Sequence, residues 1–149
     1  MASSHRYSEG ATLDTIRHWV TTAARAASAK KGEDTVVLDV GDVLSITDAF
    51  VITSGNNRRQ VLTIAEEVEA QVKDVGGPAP IRVEGLTDGQ WVLLDYGDFV
   101  VHVFVDEVRR YYDLERLWAD APVVEWEEGV PAAAATAAAG TVAAVVVVE

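Results

Sequence analysis

The chain has 149 residues, no cysteine, and 24 acidic against 12 basic side chains, a formal net charge of −12. That length sets the expectation of one domain, large enough to bury about two-thirds of its unfolded surface. The absence of cysteine excludes disulfides, thiolate metal sites and cysteine nucleophiles. The acid excess argues against direct nucleic-acid contact and favours a basic protein partner.

Residues 1–11 are polar, lack the apolar core of a secretory signal, and are read as a disordered start to a cytoplasmic protein. From Leu13, apolar residues recur at helical spacing (Ile16, Val20, Ala23, Ala24, Ala27), with Thr12 as N-cap and Lys30-Lys31-Gly32 as the stop. Trp19 falls at the edge of that stripe. Thr35–Val40 and Ala49–Ser54 read as short strands joined by a connection over Gly41–Asp48. Ser54-Gly55-Asn56-Asn57 then caps a second helix, carried by Val61, Ile64, Ala65, Val68, Val72 and Val75 and stopped by Gly76-Gly77-Pro78.

Ile81–Val83 is a brief strand, and Trp91–Tyr96 with Phe99–Val105 forms a hairpin about Gly97-Asp98. A two-residue turn fixes the register: Tyr96 opposite Phe99, Leu94 opposite Val101, Leu93 opposite His102, Trp91 opposite Phe104. One face then carries Val92, Leu94, Tyr96, Phe99, Val101 and Val103, which is core material. The other carries Trp91, Leu93, Asp95, Val100, His102 and Phe104, an apolar face holding one acid and one imidazole. Asp106 is expected to cap one last helix over Glu107–Trp118, with Arg109 and Asp113 paired at (i, i+4), and Pro122 to end the regular structure.

The order α-β-β-α-β-β-β-α gives a single α/β domain, a mixed sheet of about five strands flanked by helices, with at least one parallel crossover. It spans residues 12–121. Residues 122–149 are an acidic, then Ala/Val-rich low-complexity tail, read as disordered and too poor in Leu, Ile and Phe for a membrane anchor.

Three kinds of chemistry compete with ordinary structural roles. Asp39, Asp42, Asp48 and Asp95 are strand-end carboxylates of the type that holds Mg²⁺, but no two share a strand face two residues apart, so turns and caps are expected. Asp95 and His102 could form an acid–base dyad with Ser54 as nucleophile, yet no G-x-S-x-G elbow accompanies it. A His102 hydrogen-bonded to Asp95 on a partly buried face is the simpler reading. The Ser54–Arg59 stretch lacks the phosphate-loop pattern. What remains is an aromatic-rich face and helix, Trp91, Tyr96, Phe104, Tyr111, Tyr112 and Trp118, the material of interface hot spots.

The residues Asp39-Val40, Ile46-Thr47-Asp48, Ser54-Gly55 with Arg58 and Val61, Glu84-Gly85, Trp91-Val92-Leu93-Leu94-Asp95, Gly97-Asp98, Val101-His102-Val103 and Tyr112-x-Leu114-Glu115-x-Leu117-Trp118 stand in an order that resembles the ribosomal silencing factor family, also called iojap-like proteins. The resemblance covers about Leu13 to Asp120. It implies a nucleotidyltransferase-like α/β fold without enzymatic activity or cofactor, usually homodimeric. It also implies binding to the large ribosomal subunit through ribosomal protein uL-fourteen, which blocks joining of the small subunit and represses translation. Matched residue by residue, it points to Trp91, Asp95, Tyr96 and His102 in the hairpin and Arg109, Tyr112 and Glu115 in the last helix as the ribosomal-protein-binding set. The alternative is an enzyme acting on nucleotides or phosphate esters through Asp39, Asp48 or Asp95.

Overall fold

The computed structural model describes residues 12–126 apart from 43, 45 and 46. The expectations for residues 1–11 and for the Ala/Val-rich tail from 127 onward lie outside the described residues. The elements run α1 (Leu13–Ala29), β1 (Glu33–Asp39), β2 (Ala49–Gly55), α2 (Arg58–Asp74), β3 (Arg82–Glu84), β4 (Trp91–Asp95), β5 (Phe99–Val105), α3 (Asp106–Tyr112), α4 (Leu114–Leu117) and β6 (Val123–Val124).

Among the described residues the strands form one six-stranded sheet in the order β3-β4-β5-β2-β1-β6. Only β2 and β5 pair in parallel; β1·β2, β1·β6, β3·β4 and β4·β5 are antiparallel. The segment β2–α2–β3 is a crossover, because β3 runs parallel to β2, but β4 and β5 lie between them. The sheet is mixed, as expected, with one strand more than the sequence suggested.

Both long helices form where their caps say they should. The Thr12 hydroxyl accepts from Thr15 N at 3.1 Å, and the Asn57 side chain accepts from Gln60 N at 2.9 Å, each satisfying one amide that the first turn would leave unpaired. The buried stripes are Ile16, Val20, Ala23, Ala24, Ala26 and Ala27 on α1 and Val61, Ile64, Ala65, Val68 and Val72 on α2. Val75 falls instead at the exposed C-cap of α2, and Leu13, at the first position of α1, is also exposed. Both helices lie on one face of the sheet over Val37, Val51, Val92, Leu94, Phe99, Val101 and Val103, with Trp19 packed at the margin of this core.

The hairpin register is as read from the sequence, from Trp91↔Phe104 to Asp95↔Val100, closed by Tyr96 N to Phe99 O at 2.9 Å. Gly97 has φ +86°, and the Asp95 carboxylate accepts from its amide at 2.8 Å. Positive φ at the first of the two loop residues is the type II′ pattern, which matches the twist of the strands it joins.

Two expectations for the C-terminal part are corrected. The single helix over Glu107–Trp118 is two, broken at Asp113, which adopts φ +49° and ψ +54°. Asp106 is the first residue of α3 rather than its cap, and pairs with Arg110 one turn on. Nor does Pro122 end the regular structure: β6 follows it and pairs with β1 through Val37↔Val124 and Leu38↔Val123. Proline is tolerated beside an edge strand because no ladder bond needs its missing N–H, and its carbonyl accepts from Asp39 N at 2.8 Å. None of the helices formed by the described residues is long and apolar enough to cross a membrane.

Candidate functional site

The sheet face opposite α1 and α2 carries Trp91, Leu93 and Asp95 on β4 and Val100, His102 and Phe104 on β5, as the register requires. Phe50, Ile52 and Ser54 of β2 continue it, being opposite Val100, His102 and Phe104. Its cover is short. Trp118 stands edge-on to Phe50 at 5.6 Å between ring centroids, and Tyr112 lies against Trp91 at 5.0 Å. Leu93 and Asp95 on β4, next to the edge strand β3, and Val100 on β5 stay half-exposed.

His102 is the polar centre of this face and is 5 % exposed. The Trp91 indole Nε1–H donates to its Nδ1 at 3.1 Å, so the neutral ring holds its proton on Nε2. That Nε2 is buried and has no hydrogen-bond partner among the described residues; the ring stands edge-to-face on Phe50 at 4.9 Å. Burial, which disfavours the charged form, lowers the His102 pKa to about 3. The expected His102–Asp95 bond does not form. Asp95 accepts from Gly97 N at 2.8 Å and meets Arg82 Nη2 at 3.3 Å. Trp91 itself is stacked on Phe104 at 4.8 Å.

Arg109 is buried and joins distant parts of the chain. Its Nε donates to Glu115 Oε2 at 2.8 Å, Nη1 to Ser54 Oγ at 3.1 Å and Glu33 O at 3.0 Å, and Nη2 to Asp34 O at 2.8 Å. The expected Arg109–Asp113 pair is replaced by this one. A straight helix would hold Arg109 and Glu115 on different sides; the left-handed Asp113 turns the chain so that Glu115 reaches back to the guanidinium. Aspartate is one of the few residues that adopts this conformation readily. Ser54 is thereby engaged with Arg109 and, through its own hydroxyl, with Glu33 O at 3.3 Å, far from the role of a nucleophile.

The break has an outward consequence. It presents Tyr111, Tyr112 and Leu117 on a corner where they are 81 %, 55 % and 71 % exposed, around a shallow depression also lined by Arg110, Asp113 and Arg116. Of the residues singled out by the sequence, Tyr112 lies on this corner and Trp91 beside it, while Asp95 stands at the other end of β4, by the hairpin turn. His102, Arg109 and Glu115 are buried. Tyr96 is on the opposite face, 1 % exposed and stacked on Phe99 at 4.5 Å, and burial together with nearby Glu69 raises its pKa. The ribosomal-protein-binding set that the resemblance implies leaves out Tyr111, although it belongs to the aromatic-rich helix, and Leu117, although it belongs to the final motif. Two adjacent tyrosines cannot share one narrow helical stripe, and that was the available signal.

Two of the strand-end acids serve turns: Asp39 Oδ1 accepts from Gly41 N at 3.1 Å, and Asp95 closes the hairpin. Gly85, part of the quoted motif, has φ +90°, and a Cβ there would lie 1.9 Å from the Trp91 carbonyl oxygen. Only glycine lets that turn pack against the start of β4.

This geometry matches known proteins over most of its length. The family described as "Ribosomal silencing factor during starvation" matches residues 13–146. The ribosomal silencing factor of Bacillus subtilis is 42 % identical over 107 residues, covering 72 % of this chain and 90 % of that protein. A more distant mouse relative, "Mitochondrial assembly of ribosomal large subunit protein 1", is 29 % identical over 91 residues, covering 60 % of this chain and 40 % of that one. A crystal structure from Chromobacterium violaceum superposes with a TM-score of 0.67 at 35 % identity, covering 79 % of this chain and 95 % of that chain. With a single family spanning both long helices, the hairpin and the broken C-terminal helix, the chain belongs to the ribosomal silencing factors.

Proposed function

We propose that this chain is a cytoplasmic, non-enzymatic repressor of translation that binds the large ribosomal subunit through ribosomal protein uL-fourteen. It blocks joining of the small subunit by occupying part of the intersubunit face. The observation that carries the reading is the aromatic corner of Tyr111, Tyr112 and Leu117 beside the half-exposed Trp91, an apolar surface held by a buried ion pair on a chain that belongs to the ribosomal silencing factors. Exposed aromatics flanked by arginine are the residues that dominate protein interfaces. The chain's net charge of −12 complements a basic ribosomal protein.

In this reading Trp91 and Tyr112 touch the partner and Asp95 stands at the rim. His102, Arg109 and Glu115 hold that surface from beneath, and Tyr96 supports it from the far side of the sheet. The chain acts as a homodimer in solution.

The test is co-sedimentation of the purified chain with isolated large subunits, small subunits and joined ribosomes. Retention on large subunits only, with loss of joining when small subunits are added, is the expected result; no retention at low salt would refute it. A specific rise in melting temperature with Mg²⁺ and nucleoside triphosphates would point instead to an enzyme acting on nucleotides.

A further inference from the structure

The opposite side of the molecule has a cleft that the reading above does not use. It lies on the helix-covered face at the β6 edge of the sheet, between the first turns of α1 and the segment after β6, with a volume of about 470 Å³. That is within the range of sites that hold small ligands or anchoring side chains. Its floor is apolar, built from Val20, Val37 and Val124, and Trp126 forms one wall. The indole is fixed in place by its Nε1–H, which donates to Thr35 O at 3.0 Å. Four carboxylates, Asp39, Asp42, Asp48 and Glu125, line the same cleft against one cation, Arg17. Among the described residues no three acids are grouped closely enough to hold a metal ion, so the negative charge is spread along the cleft.

An apolar floor, an aromatic wall and distributed acids suit a ligand that alternates apolar groups with several cations. Lysine and arginine bury their aliphatic stems while keeping the charge at the rim, and an indole face attracts such cations. The fold adds a direction. β6 is the outermost strand, paired on one side with β1, and Val124 to Trp126 continue from it along the cleft. An extended peptide can follow a strand edge of this kind. The chain's own remaining C-terminal residues 127–149 contain three glutamates and no base, and like charge disfavours that segment as the occupant.

We propose that this cleft is a second docking site, for an extended Lys- or Arg-rich segment of a partner protein with apolar residues at alternate positions. The site is separate from the aromatic corner and independent of the ribosome reading.

The test is fluorescence anisotropy with a labelled peptide of alternating Lys and Leu, at near-physiological ionic strength, on the full chain. The wild type binds it and does not bind a matched Glu–Leu peptide. The exposed-rim variant Asp42→Lys/Glu125→Lys weakens binding by about tenfold or more, and Trp126→Leu weakens it with the rim intact. Tyr112→Ala leaves it unchanged, while the rim variant still co-sediments with large subunits as the wild type does. Unaltered affinity in the rim variant would overturn the proposal, as would binding lost on Tyr112→Ala. Full displacement by spermidine at matched charge would reassign the cleft to free polyamines, and a rim variant that changes sedimentation mass would reassign it to a second copy.

Discussion

The two faces of one sheet are built to different rules. On the face under α1 and α2, Val51, Val92, Leu94, Phe99, Val101 and Val103 are wholly buried, and the buried polar groups beside them are two hydroxyls, Thr53, paired with Thr35, and Tyr96, which has no hydrogen-bond partner among the described residues. Each of those apolar side chains contributes roughly 1.5–3 kcal/mol. The other face has the same strands and a similar supply of aromatics, but it buries an imidazole whose Nε2 lacks a partner among the described residues. It also depends on a guanidinium–carboxylate pair, and on helices of seven and four residues for cover. A buried ion pair is weak evidence for stability, because desolvation offsets most of its attraction. What it does here is fix position: the Arg109–Glu115 contact sets where the chain turns at Asp113, and so where Tyr111, Tyr112 and Leu117 stand. One face holds the fold together and the other displays a surface.

That contrast can be broken from either side. On the helix face, Phe99→Ala is expected to cost about 3–5 kcal/mol, measured by urea denaturation, and to reduce ribosome binding only through the fraction unfolded. On the display face, Arg109→Ala costs about 3–5 kcal/mol by leaving Glu115 charged and buried. Unlike Phe99→Ala, it also weakens large-subunit binding in the molecules that remain folded. Tyr112→Ala separates display from stability most sharply: binding weakens by about 2 kcal/mol, with melting almost unmoved because the ring is more than half exposed. Trp91→Ala weakens binding by at least that much, but destabilises as well, since the indole stacks on Phe104 and bonds His102.

A pH experiment sharpens the same contrast. The His102 pKa is about 3 when folded against an ordinary 6.5, so above pH 6.5 both states are neutral and the group has no effect. As pH falls below 6.5 the unfolded chain takes up a proton that the folded one does not, and stability drops by up to about 1.4 kcal/mol per pH unit until pH approaches 3. Comparing wild type with His102→Gln between pH 7 and 4.5 isolates this loss, which the variant should lack. The smallest effect is that of salt. Large-subunit binding should weaken gradually as ionic strength rises, by screening of opposed charges.

The hairpin was legible pair by pair because a two-residue turn leaves one register, and the two long helices because their caps and stripes agree. The partner of His102 was not. Trp91 and Asp95 are both diagonal to it, and the outcome is set by Gly97 N and Arg82 engaging Asp95, contacts made by other parts of the fold. The break at Asp113 was hidden for a similar reason: the residues on either side continue an acceptable helix pattern, and what favours the turn is a guanidinium bound to Ser54, Glu33 and Asp34, some 55 to 76 positions away. β6 was missed because two residues after a proline carry almost no local signal, and its strand character comes from the exposed edge of β1. For the candidate site, the face was readable from alternation. Which of its residues reach the surface was not, since that depends on where α3 and α4 turn.

The proposal is that the display face meets the ribosome, and amide hydrogen exchange with and without saturating large subunits tests this directly. It predicts new protection across residues 91–95 and 109–118, with α2 unchanged. Protection confined to α1 and α2, with the aromatic corner exchanging as in the free chain, would contradict it.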